Sequence, residues 1–569
     1  MPLLANLKTT RRAFLGAAAL GGCAALMGGC SINGILPGSL ALDVSDAGTS
    51  ALAGAAAQAS ASRVLEGGTL VCQTAGVSTL HPHGAWGYWE RLACRCVFDC
   101  LTEYDFAQKT LVGKAATSWE SDAGSTRFTF HLREGATFHN GETVTAGNFA
   151  DAWNALCASR EAPALRLSSC LSMVGGYDEV AAGQERAELY LECPDDYTLV
   201  VNLGRPFADF AYIASLPQLA PLPFMAFDDQ EGFRQRPSGN GAFCLAGRLS
   251  GDSGVLLSAN SSYWGAKPHV ASLRLAMGDD FSAACDGLAV GDDDVVYVPL
   301  GRADDLAGSW GQASQGVLNP GSQVLSSGIN VVSMLVFNCV GQTFSSVEAR
   351  HAVAWALDAA KLARKVGVDA SLAADSPLTA TNLAYEKGAW SGGLDGQACA
   401  QTVVDLWQQD SSSASVEVLC DPCLLQSLGE AVVAQLRGVG IPATLSVPSW
   451  SEYAAKLRGS DFDLALVAHR PRSDAAAMEL FGLFYTDGDQ NLSNYSSQTV
   501  DAAFVKALDI EDEAQRLEAL REASRLVAQD RPVVPLLYAA GGLAVSGRVN
   551  DLSVGADLMP SFAGCWLSA

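Results

Sequence analysis

Residues 119–156 read WESDAGSTRFTFHLREGATFHNGETVTAGNFADAWNAL. Polar and apolar side chains alternate through residues 127–133, and this two-residue period predicts a half-buried strand. Turn-forming residues at 121–125 precede it, so the stretch predicts a β-hairpin. Thr145 is a predicted helix N-cap, because apolar residues recur at helical spacing after it. Local physical chemistry thus predicts strands followed by a helix.

The same string, taken in order, resembles the signature of the extracellular solute-binding proteins of the peptide and nickel transporter type. These proteins are receptors that feed ATP-driven importers. The resemblance continues along nearly all of the chain, in segments that keep the family's order: 80–83 (LHPH), 237–243 (PSGNGAF), 260–267 (NSSYWGAK), 346–358, 490–496 and 532–538. It implies an α/β, two-lobed periplasmic-binding-protein-like fold, with an extra subdomain in the first lobe and a ligand cleft at the hinge.

The predicted domain organisation follows from the order of these segments. Lobe I is expected to be discontinuous, because the chain crosses into lobe II near residue 331 and returns after residue 537. Two crossing strands suit hinge closure around a ligand. The predicted boundaries are 1–29 signal peptide, 30–62 lipidated cysteine and flexible tether, 63–114 first part of lobe I, 115–236 extra subdomain, 237–330 second part of lobe I, 331–537 lobe II, and 538–569 return to lobe I.

The N-terminus is predicted to be a targeting segment. A basic stretch with Arg11 and Arg12 precedes an apolar run, at 13–27, that is shorter than the ~20 residues a membrane-spanning helix needs. Residues 26–30 (LMGGC) resemble a lipobox, which predicts lipidation of Cys30; Cys23 is a competing site with a shorter apolar run. The paired arginines resemble a twin-arginine export signal but are also common in general secretory signals. The mature protein is therefore expected at the outer face of the cell membrane.

The composition excludes one class of partner. The 569 residues carry a formal net charge of −25, whereas nucleic-acid binding requires clustered Lys and Arg. We interpret the acidity mainly as an aid to solubility in an exposed compartment.

The LHPH segment and the loop after it supply the first candidate ligand-binding residues. His81 and His83 lie in the segment that resembles the cleft-lining part of the family, although His81 stands where the family has Asp. Trp86 and Trp89 follow, and this aromatic cluster could either wall a pocket or cover core. Later in the chain, a Gly-rich turn is expected to use positive φ angles at Gly239 and Gly241.

The loop after the strand predicted at 463–468 departs from the family pattern. In peptide-binding members this strand runs into W-x-A-D-Y, whose backbone pairs with the peptide and whose Asp binds its α-ammonium group. Here the loop contains His469, Arg470, Arg472 and Asp474, so that Arg472 falls at the position of that carboxylate. We therefore hypothesise that Arg472, with Arg470, binds an anionic group. Two alternatives stay open: Arg472 pairs with a protein carboxylate, or Asp474 takes the ammonium-binding role.

Cysteines and catalytic motifs point to no enzyme. Excluding Cys23 and Cys30, fourteen cysteines remain, compatible with structural disulfides or with buried thiols. The Cys420–Cys423 CxxC has no second pair to complete a zinc site, and two nearby histidines alone are a weak signal for nickel or haem. No serine-hydrolase or zinc-peptidase motif is present in the sequence.

The sequence predicts a non-enzymatic, lipid-anchored, monomeric receptor that captures a peptide or peptide-like solute and delivers it to the permease subunits of an ABC importer. No cofactor is predicted. Within the family, nickel chelates, haem, a small thiol peptide or another small anion are alternative ligands. An exported peptidase or thiol oxidoreductase is the alternative from a different class.

Overall fold

The computed structural model describes residues 64–105, 108–249, 254–311, 322–326, 331–390, 415–539, 541–555 and 558–568. The predicted signal peptide, Cys30 and the whole predicted tether lie outside these ranges. Among the described residues, no helix is both long enough and apolar enough to span a bilayer.

The sheet of lobe I combines strands from distant parts of the chain. Its central strand, Thr69–Thr74, pairs in parallel with Ser272–Met277 on one side and with Val295–Val298 on the other. The remaining neighbours pair antiparallel. The order across the sheet is Gln323–Ser326, Gly542–Val545, Val295–Val298, Thr69–Thr74, Ser272–Met277, Val255–Ala259 and Phe243–Leu245.

The stretch at 119–156 forms the predicted hairpin and helix. Strands Ala116–Ser121 and Arg127–Leu132 pair antiparallel, and Asp122 closes their turn by accepting hydrogen bonds from the backbone N–H groups of Thr126 and Arg127 at 2.7 and 3.0 Å. Helix Ala146–Ala158 follows, and its apolar face is buried. The hairpin and the helix are therefore confirmed. The hairpin belongs to a four-stranded antiparallel sheet of the order Ala116–Ser121, Arg127–Leu132, Thr198–Asn202 and Leu191–Asp195.

Lobe II is built on a mixed five-stranded sheet. Strand Leu464–His469 lies at its centre, antiparallel to Val332–Phe337 and parallel to Val416–Cys420. The order across the sheet is Ala443–Ser446, Val416–Cys420, Leu464–His469, Val332–Phe337 and Val533–Leu537.

The chain crosses between the two sheets twice. It leaves lobe I after Gln323–Ser326 and enters lobe II at Val332–Phe337, and it returns from Val533–Leu537 to Gly542–Val545. The outgoing and returning strands pair with each other in both sheets, and the Ser333 hydroxyl donates to the Ala539 carbonyl between them. Two adjacent crossings give the lobes a common axis for hinge motion.

The other elements cover these sheets. The α-helices are Tyr88–Val97, Ala146–Ala158, Ala162–Leu167, Tyr177–Ala181, Phe210–Ile213, Met225–Asp228, Gln230–Gln235, Phe281–Val290, Ala303–Trp310, Val347–Ala356, Ala359–Lys365, Gln426–Gly438, Trp450–Gly459, Ala476–Phe484, Gln498–Leu508 and Glu513–Asp530. Short 3-10 helices occupy Pro82–Gly84, Ser168–Leu171, Pro217–Leu219 and Ala370–Leu372. Three small sheets complete the described structure. One has three strands, in the order Val64–Leu65, Trp566–Ser568 and Val549–Asn550. The other two are strand pairs, Thr102–Asp105 with Thr110–Gly113 and Ser553–Val554 with Pro560–Ser561.

The structure adds one helix and corrects one local prediction. The added helix, Trp450–Gly459, precedes the strand that the sequence predicted at 463–468. Gly239 and Gly241 have no positive φ; they are required because a Cβ there would lie 2.0 Å from the Val97 carbonyl oxygen and 2.6 Å from its carbonyl carbon, respectively. Close approach of two backbones, rather than an unusual dihedral angle, explains these glycines.

Candidate ligand site between the lobes

A cavity of about 930 Å³ lies where both lobes and the extra subdomain meet. We call it the cleft cavity. Its lining residues are Trp86, Gly87, Tyr88, Arg91, Leu167, Gln218, Met334, Asp421, Trp450, Tyr453, Ala454, Leu457, Val467, Ala468, His469, Arg470, Leu483, Asp489, Gln490 and Leu492.

The central strand of lobe II presents an open backbone edge to this cavity. Leu464–His469 pairs with Val332–Phe337 along its whole length, but its pairing with Val416–Cys420 ends at Leu466. The Leu466 carbonyl still accepts from Tyr453 Oη at 3.0 Å. Backbone groups of every second residue in a strand face the same edge, so those of Ala468 face the same side as those of Leu466. Since pairing with the neighbouring strand ends at Leu466, the N–H and C=O of Ala468 lie on the open side. A ligand with an extended backbone can pair there.

Arg470 is a buried cation at the end of this edge. Its residue is 7% exposed, and its guanidinium carbon lies 4.1 Å from the centre of the Tyr88 ring. Nη1 makes a long contact of 3.4 Å with the Ala468 carbonyl, while Nε and Nη2 have no hydrogen-bond partner among the described residues. A cation–π contact contributes about 0.5–2 kcal/mol, but burying an ion costs several kcal/mol. Asp421, which lines the same cavity, interacts electrostatically with Arg470, but no carboxylate forms an ion pair with the guanidinium within 4.0 Å in the described part of the chain.

Arg472 has a different environment, which corrects its predicted role. Its Nη1 lies 2.5 Å from Asp489 Oδ2, and its Nε lies 3.7 Å from Glu479 Oε1. Burial opposes its charge, but Asp489 and Glu479 raise the pKa of Arg472. Protein carboxylates already neutralise this guanidinium, so it is not a free anion-binding group. The alternative of a protein carboxylate partner describes Arg472.

His469 and Asp474 also contact protein groups. His469 lines the cleft cavity, and its Nε2 lies 3.4 Å from Glu479 Oε2. Asp474 accepts hydrogen bonds from the hydroxyls of Tyr104 at 2.9 Å and Thr381 at 2.5 Å, and it is not part of the cavity lining. Both carboxylate oxygens of Asp474 therefore already accept hydrogen bonds from protein hydroxyls.

The two tryptophans of the aromatic cluster have different positions: one walls the cavity and the other lies in the core. Trp86 lines the cleft cavity. Trp89 is only 1% exposed and packs in the core against Phe281 at 5.4 Å and Tyr297 at 4.6 Å between ring centroids. Trp89 is thus a core residue rather than a pocket wall.

His81 and His83 lie beside each other but outside the lining of the cleft cavity. The backbone N–H of His83 donates to His81 Nδ1 at 3.1 Å, and the His81 ring packs edge-on against Phe233 at 5.2 Å. Burial lowers the pKa of His81 to about 4 and holds the pKa of His83 well below its usual range. Across the described ranges, no group of three or more His, Cys, Asp or Glu side chains is arranged to hold a metal.

The CxxC motif is unsuited to thiolate chemistry. Cys420 and Cys423 are buried thiols, and none of the thirteen cysteines in the described part of the chain forms a disulfide. Burial, and then the nearby Asp421 carboxylate, raises the pKa of both thiols. Reactive cysteines instead have lowered pKa values in electropositive, accessible surroundings.

Four residues of the cavity lining were not predicted from the sequence: Arg91, Asp421, Trp450 and Tyr453. Two had a usable signal, because Trp450 and Tyr453 recur at helical spacing after the Ser449–Glu452 capping box. Asp421 lies inside the CxxC motif, and the sequence was interpreted there only for the two cysteines. Burial raises the pKa of Asp421, although it accepts hydrogen bonds from the backbone N–H groups of Cys423 and Leu424.

A second cavity, of about 1060 Å³, adjoins the first, and Tyr88, Arg91 and Arg470 line both. We call it the basic cavity because five cationic side chains and two carboxylates line it: Arg91, Arg95, Lys114, Arg470, Arg472, Asp99 and Glu103.

The two carboxylates of the basic cavity are already paired. Glu103 lies 2.6 Å from Arg95 and 2.9 Å from Lys114, and Lys114 also lies 3.8 Å from Asp99. Although burial acts in the opposite direction, these cations lower the pKa of Glu103 to about 2. The potential in this cavity therefore favours anions.

Comparison with known proteins places this architecture in a family. The family model for bacterial extracellular solute-binding proteins, family 5 Middle, matches residues 110–491. The periplasmic oligopeptide-binding protein OppA of Salmonella typhimurium is 22% identical over 492 residues, covering 81% of this chain and 85% of that protein. Heme-binding protein A of Haemophilus influenzae is 21% identical over 482 residues, with coverages of 80% and 84%.

The crystal structure of Haemophilus influenzae OppA in complex with RPPGFSPFR has the same fold. It aligns with a TM-score of 0.76 at 21% identity, covering 89% of this chain and all of that one. The two-lobed α/β fold is therefore confirmed, and the family model spans more than half of the sequence. The chain belongs to the bacterial extracellular solute-binding proteins of family 5.

Proposed function

We propose that this protein is an extracytoplasmic receptor that captures a peptide or peptide-like solute in the cleft cavity and delivers it to an ABC importer. The observation that carries the proposal is the open edge at Ala468, where a central strand loses its neighbour beside a cavity lined from both lobes. Pairing with backbone groups binds an extended peptide whatever its side chains are.

The aromatic walls complement that edge. Trp86 and Trp450 line the cavity from lobe I and lobe II, respectively, and supply large apolar surfaces for ligand side chains. The combination suits a peptide better than haem, because His81 and His83, the histidines considered for metal or haem, lie outside the cavity lining.

The proposal also includes the membrane location. After export and cleavage, diacylation of Cys30 would anchor the monomeric receptor beside the permease subunits, because two acyl chains hold a protein at a membrane far more firmly than one. Cys30→Ala should release protein to the medium or leave the precursor uncleaved. Unchanged, fully processed membrane protein would contradict the assignment of Cys30.

A thermal-shift screen of the chain from residue 63 tests the ligand class. Pooled pentapeptides, nickel chelates and haem are each added, and we expect the peptide pools to raise the melting temperature. N-methylation of the peptide backbone should weaken binding by roughly 2- to 10-fold per lost hydrogen bond. Stabilisation by haem or nickel chelates with no response to any peptide pool would refute the peptide assignment.

A further inference from the structure

The charge distribution around Arg470 deepens the proposed function, on which this inference rests, by specifying the chemistry of the ligand. We propose that the ligand carries a carboxylate that binds Arg470 at the junction of the cleft cavity and the basic cavity.

The first support is the state of Arg470 itself. It is more than nine-tenths buried, it lines both cavities, and its Nε and Nη2 have no hydrogen-bond partner among the described residues. A carboxylate can accept from two guanidinium N–H groups at once, which supplies both a direct ion pair and the missing acceptors. An amide or hydroxyl oxygen would supply only an acceptor.

The second support is the contrast with the neighbouring arginine. Arg472 is also buried, but Asp489 and Glu479 pair with it. No carboxylate lies within 4.0 Å of Arg470 in the described part of the chain. The loop thus contains one arginine in direct ion pairs and one, Arg470, that interacts with Asp421 electrostatically without forming an ion pair.

The third support is geometric. Arg470 lies two residues after the open edge at Ala468, so a peptide paired with that edge has a carboxylate within reach when its chain continues toward the basic cavity. The carboxylates lining the basic cavity, Asp99 and Glu103, are close to Lys114, so they compete little for Arg470. Asp421 in the cleft cavity interacts electrostatically with Arg470 but forms no ion pair with it, and it accepts hydrogen bonds from the backbone N–H groups of Cys423 and Leu424.

The carboxylate has two sources, the peptide's C-terminus and an acidic side chain. Four pentapeptide pools separate them: free acid or C-terminal amide, each with Glu or with Gln at one fixed position. They are titrated calorimetrically into the wild type, Arg470→Gln, Arg470→Lys and the control Arg186→Gln, whose side chain is 91% exposed. Dependence on the free terminus or on Glu identifies the source.

We expect the pool lacking both carboxylates to bind the wild type about 10- to 100-fold more weakly than the matching acid pool. Arg470→Gln should lose a similar factor for the acid pool, Arg470→Lys should lose less, and Arg186→Gln should bind as the wild type does. Equal binding of all four pools to the wild type would overturn the inference, and so would unchanged affinity in Arg470→Gln. The wild-type comparison decides the matter even where a variant fails to fold.

Failure of the proposed function gives a different pattern. If no peptide pool binds the wild type, succinate and citrate are tested on the wild type and on Arg470→Gln. Binding to the wild type alone would sustain an anion site at Arg470 and refute the peptide function. Absence of binding by peptides and by both acids would overturn the carboxylate inference together with that function.

Discussion

Replacing Arg472 by Met should destabilise the protein strongly, whereas the same replacement of Arg470 should not. The side chains of Arg472, Asp489 and Glu479 are 8%, 6% and 1% exposed, so Arg472→Met leaves Asp489 without its ion-pair partner and leaves Glu479 only His469. Breaking a buried ion pair from one side costs about 3–5 kcal/mol. Arg470→Met removes a charge that has no ion pair in the described structure and gives up the Tyr88 contact. Its expected cost is below about 1 kcal/mol, because the lost cation–π contact is offset by the avoided burial of an ion.

Urea unfolding followed by tryptophan fluorescence measures both effects in the ligand-free protein. The double variant Arg472→Met/Asp489→Leu should recover part of the stability, because it removes one of the carboxylates left uncompensated. Equal unfolding midpoints for Arg472→Met and Arg470→Met would refute the assignment of Arg472 as a structural ion-pair partner. Such a result would return Arg472 to the ligand-binding role that the sequence suggested.

Two further predictions concern pH and hinge motion. Because the pKa of His81 is about 4 in the folded protein and about 6.5 unfolded, its contribution to stability is complete above pH 6.5 and is lost as the pH falls toward 4. His81→Asn, which keeps an acceptor for the His83 N–H, should flatten the pH profile of the unfolding midpoint over that window, and an unchanged profile would contradict this origin. A peptide confirmed by calorimetry should also reduce the radius of gyration in small-angle scattering; no compaction at saturation would refute closure about the two crossings.

The regular elements of the chain were largely predictable. The hairpin and helix at 119–156 follow from side-chain periods and turn residues that depend only on neighbours in sequence. The helix Trp450–Gly459 was not predicted, although its capping box, Ser449 with Glu452, can be recognised in the sequence. Gly239 and Gly241 were assigned the wrong constraint, because the Val97 backbone that excludes a side chain there is distant in sequence.

The charged groups of the site were less predictable. The sequence places Arg470 and Arg472 in one loop, and nothing local distinguishes them. Their difference depends on Glu479, at the start of the next helix, and on Asp489, after that helix, both of which fold back onto Arg472. Only the tertiary packing shows which arginine the protein pairs and which one it leaves for a partner.

Stoichiometric capture without turnover tests the central claim most directly. The chain from residue 63 is saturated with a peptide pool, separated from unbound peptide and denatured, and mass spectrometry compares the released peptides with the input. We expect about one peptide per protein chain, recovered with unchanged mass even after prolonged incubation. Shortened or otherwise modified peptides, or no retained peptide at all, would contradict the assignment of this protein as a peptide receptor.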